Sequence, residues 1–254
     1  MNIDTDSDFH MHTRFSDGSA TIDEMAAAAI EKGLSQISIS DHMPLPKRQR
    51  YTMDKQLVDA YRLALREARS TYRDRLKINM GIECEFIPEF RFWVRSILQM
   101  GWDCAIASVH SLYKNNTFYL VNGTRQEFEE LLEVYHDDIE ALVNVYYKTV
   151  QDACDTGWFD VAGHIDVIKK HNSGANYFSE SEPFYRRLVF ETLDIIRHKG
   201  MKMEINLSGL DHSIKEPYPS QWIIDEAVQR KIPLVLSSDA HGTDGVGRHI
   251  DLFK

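Results

Sequence analysis

Seven short apolar runs alternate with stretches of helical periodicity along this chain, and that alternation restricts the fold more than any other feature of the sequence. The runs lie at residues 8–10, 36–40, 77–86, 104–109, 159–163, 201–207 and 232–237. Helical patterns fall between them at 22–32, 54–72, 88–99, 125–156, 182–199 and 220–230. Phe128, Leu131, Leu132, Tyr135, Ile139, Leu142, Val143 and Tyr146 recur at helical spacing, enough for one or two helices. Thr21 is placed to cap the first helix, and Gly200 to end the one before it. Nearly all-apolar strands separated by helices imply a parallel sheet covered on its outer side. Seven such units predict an α/β fold, a closed or nearly closed βα barrel; an open doubly wound sheet is the other arrangement the pattern allows. A length of 254 residues suits one large barrel or two small domains. No linker, repeat or low-complexity tract divides it, so residues 1–254 are read as a single domain.

Composition excludes several classes. Apolar residues make up 43% and charged residues 27%, the profile of a soluble globular protein. Lys and Arg number 29 against 39 Asp and Glu, a net charge of −10, which argues against wrapping nucleic acid by charge alone. A nucleotide held by a local metal cluster stays open. No run approaches ~18 apolar residues, so no membrane span is expected. The opening MNIDTDSDFHMH is acidic and polar where a signal peptide needs a basic and then apolar run. Cys84, Cys104 and Cys154 show no CxxC spacing and read as reduced thiols of a cytoplasmic protein.

The 11 histidines carry the functional signal. In a βα barrel, functional groups gather at the C-terminal ends of the strands. Those ends supply His10 and His12 with Asp17, then Asp41-His42, Glu83 and Glu85, His110, His164 and Asp166, Glu204 and Asn206, and Asp239 with His241. Alternation along a strand puts both imidazoles of His10-Met11-His12 on one face, where they can grip one ion. Cys84 faces away from Glu83 and Glu85 and reads as packing. So many carboxylates and imidazoles are costly to bury without cations between them. Mixed nitrogen and oxygen donors suit Zn, Mn, Fe or Ni. His136 and His198 fall on helices, and His171, His212 and His249 on loops; these read as solvated.

The set HMHTRFSDG, ISDH, GIECEF, ASVH, GHID, EINLSG and SSDAH resembles the PHP (polymerase and histidinol phosphatase) superfamily, most closely its histidinol-phosphate phosphatases of the HisJ/HisK type. The likeness runs from Asp8 to about Arg248. It implies a distorted (β/α)7 barrel with a metal site at the C-terminal ends of the strands, holding two to three divalent transition-metal ions (Zn, Mn or Fe). One ion would sit on His10, His12, Glu83 and Asp239, a second on bridging Glu83, His110 and His164, and a third on Asp17, His42 and His241. Asp8, Asp41 and Asp166 are expected to fix imidazole tautomers through the other ring nitrogen.

The implied activity is metal-dependent hydrolysis of a phosphomonoester, with L-histidinol phosphate, an intermediate of histidine synthesis, as the expected substrate. A hydroxide bridging two metals would attack phosphorus in line. The expected catalytic residues are Glu83, His110, Asp239 and His241. No Cys-x5-Arg or Asp-x-Asp motif supports a covalent phospho-enzyme. Basic residues near strand ends include Arg14, Arg48, Arg50 and Lys114, and the expected phosphate contacts are Lys169, Lys170, Lys215 and Arg248. The alternatives are a superfamily phosphoesterase acting on a nucleotide, oligonucleotide or phosphotyrosine, and a metal-binding module without catalysis. One departure bears on this. The resemblance implies a basic residue after the EIN-x-SGL run, and this chain has Asp211 there, with Lys215 as the nearest substitute. Relatives also carry a further helix beyond the last motif, so either the barrel closes without it or this is a short variant.

Overall fold

Capping chemistry marks where the helices begin. In the computed structural model, which describes residues 3–254, Thr21 and Glu24 form a reciprocal capping box at the start of α1 (Ile22–Glu31). Thr124 and Glu127 do the same for α4 (Arg125–Val134), and Asp138 caps α5 (Ile139–Asp155). The long 125–156 pattern is therefore two helices. α6 (Pro183–Lys199) ends on Gly200 in the left-handed conformation, at φ 68°. α2 (Val58–Tyr72) and α3 (Arg91–Leu98) each follow a tighter 3-10 turn, at Lys55–Leu57 and Pro88–Phe90. α7 (Gln221–Gln229) completes the set. Among the described residues no helix is long and apolar enough to cross a membrane.

The strands are β1 (Ser7–Asp8), β2 (Gln36–Ile39), β3 (Lys77–Glu85), β4 (Cys104–Ser108), β5 (Ser111–Lys114), β6 (Thr117–Leu120), β7 (Val161–Ala162), β8 (Lys202–Asn206) and β9 (Leu234–Ser237). Seven of them run parallel in the order β1-β2-β3-β4-β7-β8-β9. The two edges meet. The Phe9 amide donates to the Leu236 carbonyl (3.1 Å), Asp239 to His10 (2.9 Å) and His12 to Ala240 (2.8 Å). The sheet thus closes into a distorted (β/α)7 barrel, and the open doubly wound arrangement is ruled out. β1 is shorter than the 8–10 run because the chain leaves β2 after Asp8 and pairs along this seam instead.

A hairpin, β5 and β6, was not expected from the sequence. It joins antiparallel with Lys114 opposite Thr117, leaving Asn115 and Asn116 as a two-residue turn with φ of 52° and 63°. Positive φ at both central residues is the type I′ preference that asparagine meets at low cost. The Asn-Asn pair between SLYK and TFYL was the legible signal. The hairpin brings Leu120 and the following Asn122 and Gly123 to the open end of the barrel.

Asp8 secures the seam rather than an imidazole. Its buried carboxylate accepts hydrogen bonds from the Ser238 amide (2.9 Å), the Ser238 hydroxyl (2.5 Å) and the Gly247 amide (2.9 Å). Burial raises its pKa against those bonds. Asp8→Ala would strand the buried Ser238 amide and the half-buried Gly247 amide, and we predict a loss of about 3 kcal/mol. A denaturant midpoint equal to the wild type would show that the seam holds without it.

Candidate metal centre

The closing register does more than seal the barrel. Met11 bridges Ala240 in parallel, so His10 and His12 flank one side of the seam and Asp239 and His241 the other. A separate parallel bridge, beyond the β2–β3 pairing, sets His42 beside Glu83. His110 and His164 follow β4 and β7 directly. Asp17 comes from a turn after His12, where Gly18 lies so close to the chain that a Cβ would sit 2.6 Å from the His12 carbonyl oxygen. All nine expected ligands therefore converge at one end of the barrel.

Glu83 is at the centre and fully buried. Its Oε1 lies 3.1 Å from His110 Nε2 and 3.1 Å from His164 Nε2. Its Oε2 faces the other way, 3.3 Å from His10 Nε2, 3.6 Å from His12 Nε2 and 2.7 Å from His42 Nδ1. Asp239 Oδ1 is 3.2 Å from His12 Nε2, and Asp17 Oδ1 is 3.3 Å from His241 Nε2 and 3.8 Å from His42 Nε2. Three sets of side chains could each hold an ion: His12, Asp17, His42 and His241; His10, His12 and Glu83; and His42, Glu83 and His110. The sets overlap, with His12 and His42 each reaching toward two of them.

These residues fit divalent cations. His10 and His12 point Nε2 at each other across 3.0 Å, and His110 and His164 do so across 3.1 Å. A neutral imidazole presents one lone pair, so such facing nitrogens need a proton or a metal between them. His12 Nδ1, His42 Nδ1, Glu83 Oε2 and Asp239 Oδ1 are buried without a hydrogen-bond partner. Orphaned donors of this kind, all nitrogen and carboxylate oxygen, match the preferences of Zn and its transition-metal neighbours.

The sequence profile of the PHP domain matches residues 8–208. This chain belongs to the PHP family. It is 31% identical over 252 residues to a probable histidinol-phosphatase of Deinococcus radiodurans, covering 97% of this chain and 91% of that one. It is 30% identical over 263 residues to the histidinol-phosphatase of Bacillus subtilis, covering 97% of each. The crystal structure of histidinol phosphate phosphatase from Lactococcus lactis, complexed with Zn, L-histidinol and phosphate, superposes with a TM-score of 0.71 at 20% identity, covering 97% of this chain and 91% of that one. That likeness is one of fold.

The groups that orient the imidazoles of this PHP centre are not the three aspartates expected. Glu204 accepts from His10 Nδ1 (2.7 Å), the His164 amide (2.6 Å) and the Ser237 hydroxyl (2.5 Å). Glu85 accepts from His110 Nδ1 (2.6 Å) and from the Ser111 amide and hydroxyl (2.8 and 3.0 Å). Each carboxylate fixes Nδ1 as the donor and turns Nε2 inward. Asp41 instead holds the turn that carries Asp17, accepting from the amides of Thr13 (2.9 Å) and Ser16 (3.0 Å) and from both hydroxyls. Asp166 pairs with Lys169 Nζ (3.1 Å) and accepts from the Ser220 amide (2.9 Å). Sequence spacing alone does not tell which strand-end carboxylates face inward and which cap a turn.

A cavity of about 300 Å³ opens above the cluster, lined by Asp17, His42, His110, Asp239 and His241 below and by Arg50, Tyr51, Lys170, His212 and Arg248 around its mouth. Lys170 and Arg248 thus stand where phosphate contacts were expected. Lys169 does not: its ammonium is fully buried and committed to Asp166 and the Ser220 hydroxyl. Lys215 is exposed, away from the cavity lining. Arg50, within the basic set named from sequence, is the third cation at the mouth. His171 and His249 are half-buried, and His136 and His198 exposed.

Burial disfavours the charged imidazoles of His10 and His110, but Glu83 with Glu204, and Glu83 with Glu85, outweigh it and raise both pKa values. Burial likewise opposes charge on His241, and its hydrogen bond with Asp17 and the charge of Asp239 still bring it to about 9. His12 goes the other way, lowered to about 3 by burial and by the neighbouring His241 and His42. A cation entering this cluster must displace the protons on His10, His110 and His241. Metal binding is therefore expected to release protons at pH 7, and the apparent affinity to rise with pH toward about 9 and to be weakest in acid. Zinc titrations by calorimetry in buffers of different ionisation enthalpy measure this; identical heats in all of them would refute it. Glu85→Gln or Glu204→Gln should weaken zinc binding about 10- to 100-fold, read by competition with a chromophoric chelator.

Proposed function

We propose that this chain hydrolyses L-histidinol phosphate to L-histidinol and phosphate, with two to three divalent transition-metal ions at the end of the barrel. Two relatives aligned over 97% of the chain carry the histidinol-phosphatase name, and a fold neighbour is complexed with Zn, L-histidinol and phosphate. The observation that carries the reading is the split of Glu83, with Oε1 turned to His110 and His164 and Oε2 to His10, His12 and His42. A carboxylate so placed could serve two ions. His10, His12, Glu83 and Asp239 would hold the first, Glu83, His110 and His164 the second, and Asp17, His42 and His241 the third. When bound, the ions supply Lewis acidity, ionising solvent near neutral pH and offsetting charge on the phosphoryl oxygens.

The protein's own residues do the rest. Lys170, Arg248 and Arg50 line the cavity and would offset the charge of the phosphate dianion. Lys170 is held by the Asn122 carbonyl (2.7 Å) and Arg50 by Glu127 (2.5 and 3.0 Å), so both cations arrive already positioned. His241 donates Nδ1–H to the Asp239 carbonyl (3.0 Å), which leaves Nε2 facing Asp17 and the cavity. Among the described residues no cysteine lines the cavity; burial pushes the Cys104 and Cys154 thiols up to about 11 and 12, far from the thiolate a nucleophile needs. Hydrolysis in a single displacement is the consistent route.

Steady-state hydrolysis across a phosphomonoester panel tests the proposal. Histidinol phosphate should exceed p-nitrophenyl phosphate in kcat/KM by at least about a hundredfold. Equal values would leave a phosphoesterase of other specificity. His10→Ala and Glu83→Ala should each cut turnover at least about a hundredfold and lower the bound metal measured by elemental analysis. Full activity in either would place the chemistry elsewhere.

A further inference from the structure

Asp211 and Arg248 meet over the mouth of the cavity, and their contact is built from several independent pieces. Arg248 Nη1 donates to Asp211 Oδ2 at 2.9 Å, and His249 Nε2 lies 2.9 Å from Asp211 Oδ1, so one carboxylate engages two consecutive side chains. Bringing both to the same partner requires an unusual backbone. His249 adopts φ 58°, in the left-handed region, directly after Gly247 at φ 64° and Arg248. Gly245 leaves the space the guanidinium occupies: a Cβ there would sit 2.4 Å from Arg248 Nη2. The Asp211 carboxylate is held below its usual range by its hydrogen bonds to His249 and Arg248. Arg248 Nη2 makes no hydrogen bond among the described residues, and Arg248 lines the cavity while Asp211 does not.

A free arginine at a pocket rim samples many rotamers, and its affinity for an anion falls with the population that faces the pocket. A carboxylate gripping one edge of the guanidinium removes that freedom and leaves the remaining N–H groups to the ligand. We propose that Asp211 is a positioning residue for substrate binding: with His249 it clamps Arg248 so that the guanidinium stands over the cavity as a preset anchor for the phosphate of the substrate. The proposal rests on the reading of Arg248 as a phosphate contact and deepens it. Asp211 acts through Arg248 and does not touch the substrate.

A double-mutant cycle on the metal-loaded enzyme tests this, with KM for the preferred phosphomonoester and the inhibition constant of inorganic phosphate as readouts. Arg248→Ala should raise both by about tenfold or more, with a smaller change in kcat. Asp211→Ala and the milder Asp211→Asn should raise both in the same direction, each by less than Arg248→Ala, at an unchanged melting temperature. The Asp211→Ala/Arg248→Ala pair should be no worse than Arg248→Ala alone, because the clamp has no function without the residue it holds. Additive effects, or an Asp211→Asn enzyme with wild-type KM and phosphate inhibition beside an impaired Arg248→Ala, would overturn the positioning role and leave Arg248 as a contact. Wild-type KM and phosphate inhibition in Arg248→Ala would overturn both.

Discussion

The structure is organised around one electrostatic problem, a carboxylate buried among imidazoles. Glu83 has no access to solvent, and the rings of His10, His12, His42, His110 and His164 all present a nitrogen to it. Neither partner could be buried alone at tolerable cost. Every strand of the barrel contributes to solving it, either with a donor or with a carboxylate that steadies one. Glu204 and Glu85 carry the negative charge outward from the centre to the Nδ1 atoms of His10 and His110, and are themselves satisfied by serine hydroxyls and backbone amides. The outcome is a graded shell in which the outer carboxylates steady imidazoles whose other nitrogens face the centre.

Much of this could be read from the residues themselves, and the reasons are physical. Period-two alternation places His10 and His12 together, and a parallel barrel places strand ends together, so strand-end donors had to meet. The seven-strand count follows from apolar runs too continuous for a one-sided sheet. What escaped depended on geometry finer than either rule. The β5–β6 hairpin is half-exposed and short, and its Asn-Asn turn stands inside a stretch without strong periodicity. Asp8, Asp41 and Asp166 sit one or two residues from ligands exactly as Glu85 does, yet the first two fold a seam and a turn and the third neutralises a lysine. Deciding among them needs the direction of each side chain where the chain leaves its strand.

The lysines teach the same lesson from the other side. Lys169 and Lys170 are adjacent on a 3-10 turn, Val167–His171, so about 120° separates their side chains. One ammonium is sealed inside with Asp166 and Ser220, and the other hangs over the cavity against the Asn122 carbonyl. The buried one ties the loop around Tyr218 to the barrel wall, where its charge is offset before any anion arrives. Charge near a phosphate site therefore divides into what builds the walls and what remains for the ligand. In a chain of net charge −10, three cations line this cavity, and of these Arg50 and Arg248 already pair with Glu127 and Asp211 while Lys170 rests on a backbone carbonyl.

The seam between the first and last barrel strands has a consequence for how such a centre comes into being. Asp8 and Ser238 touch although 230 positions separate them in sequence, and the candidate ligands on either side of that contact follow the first and last barrel strands. While the chain is emerging from a ribosome, the early imidazoles wait without their distant counterparts until the final strand appears. An ion held between His12 and Asp239 would need both sides of this seam in place. Such an ion would staple the first and last strands of the barrel together.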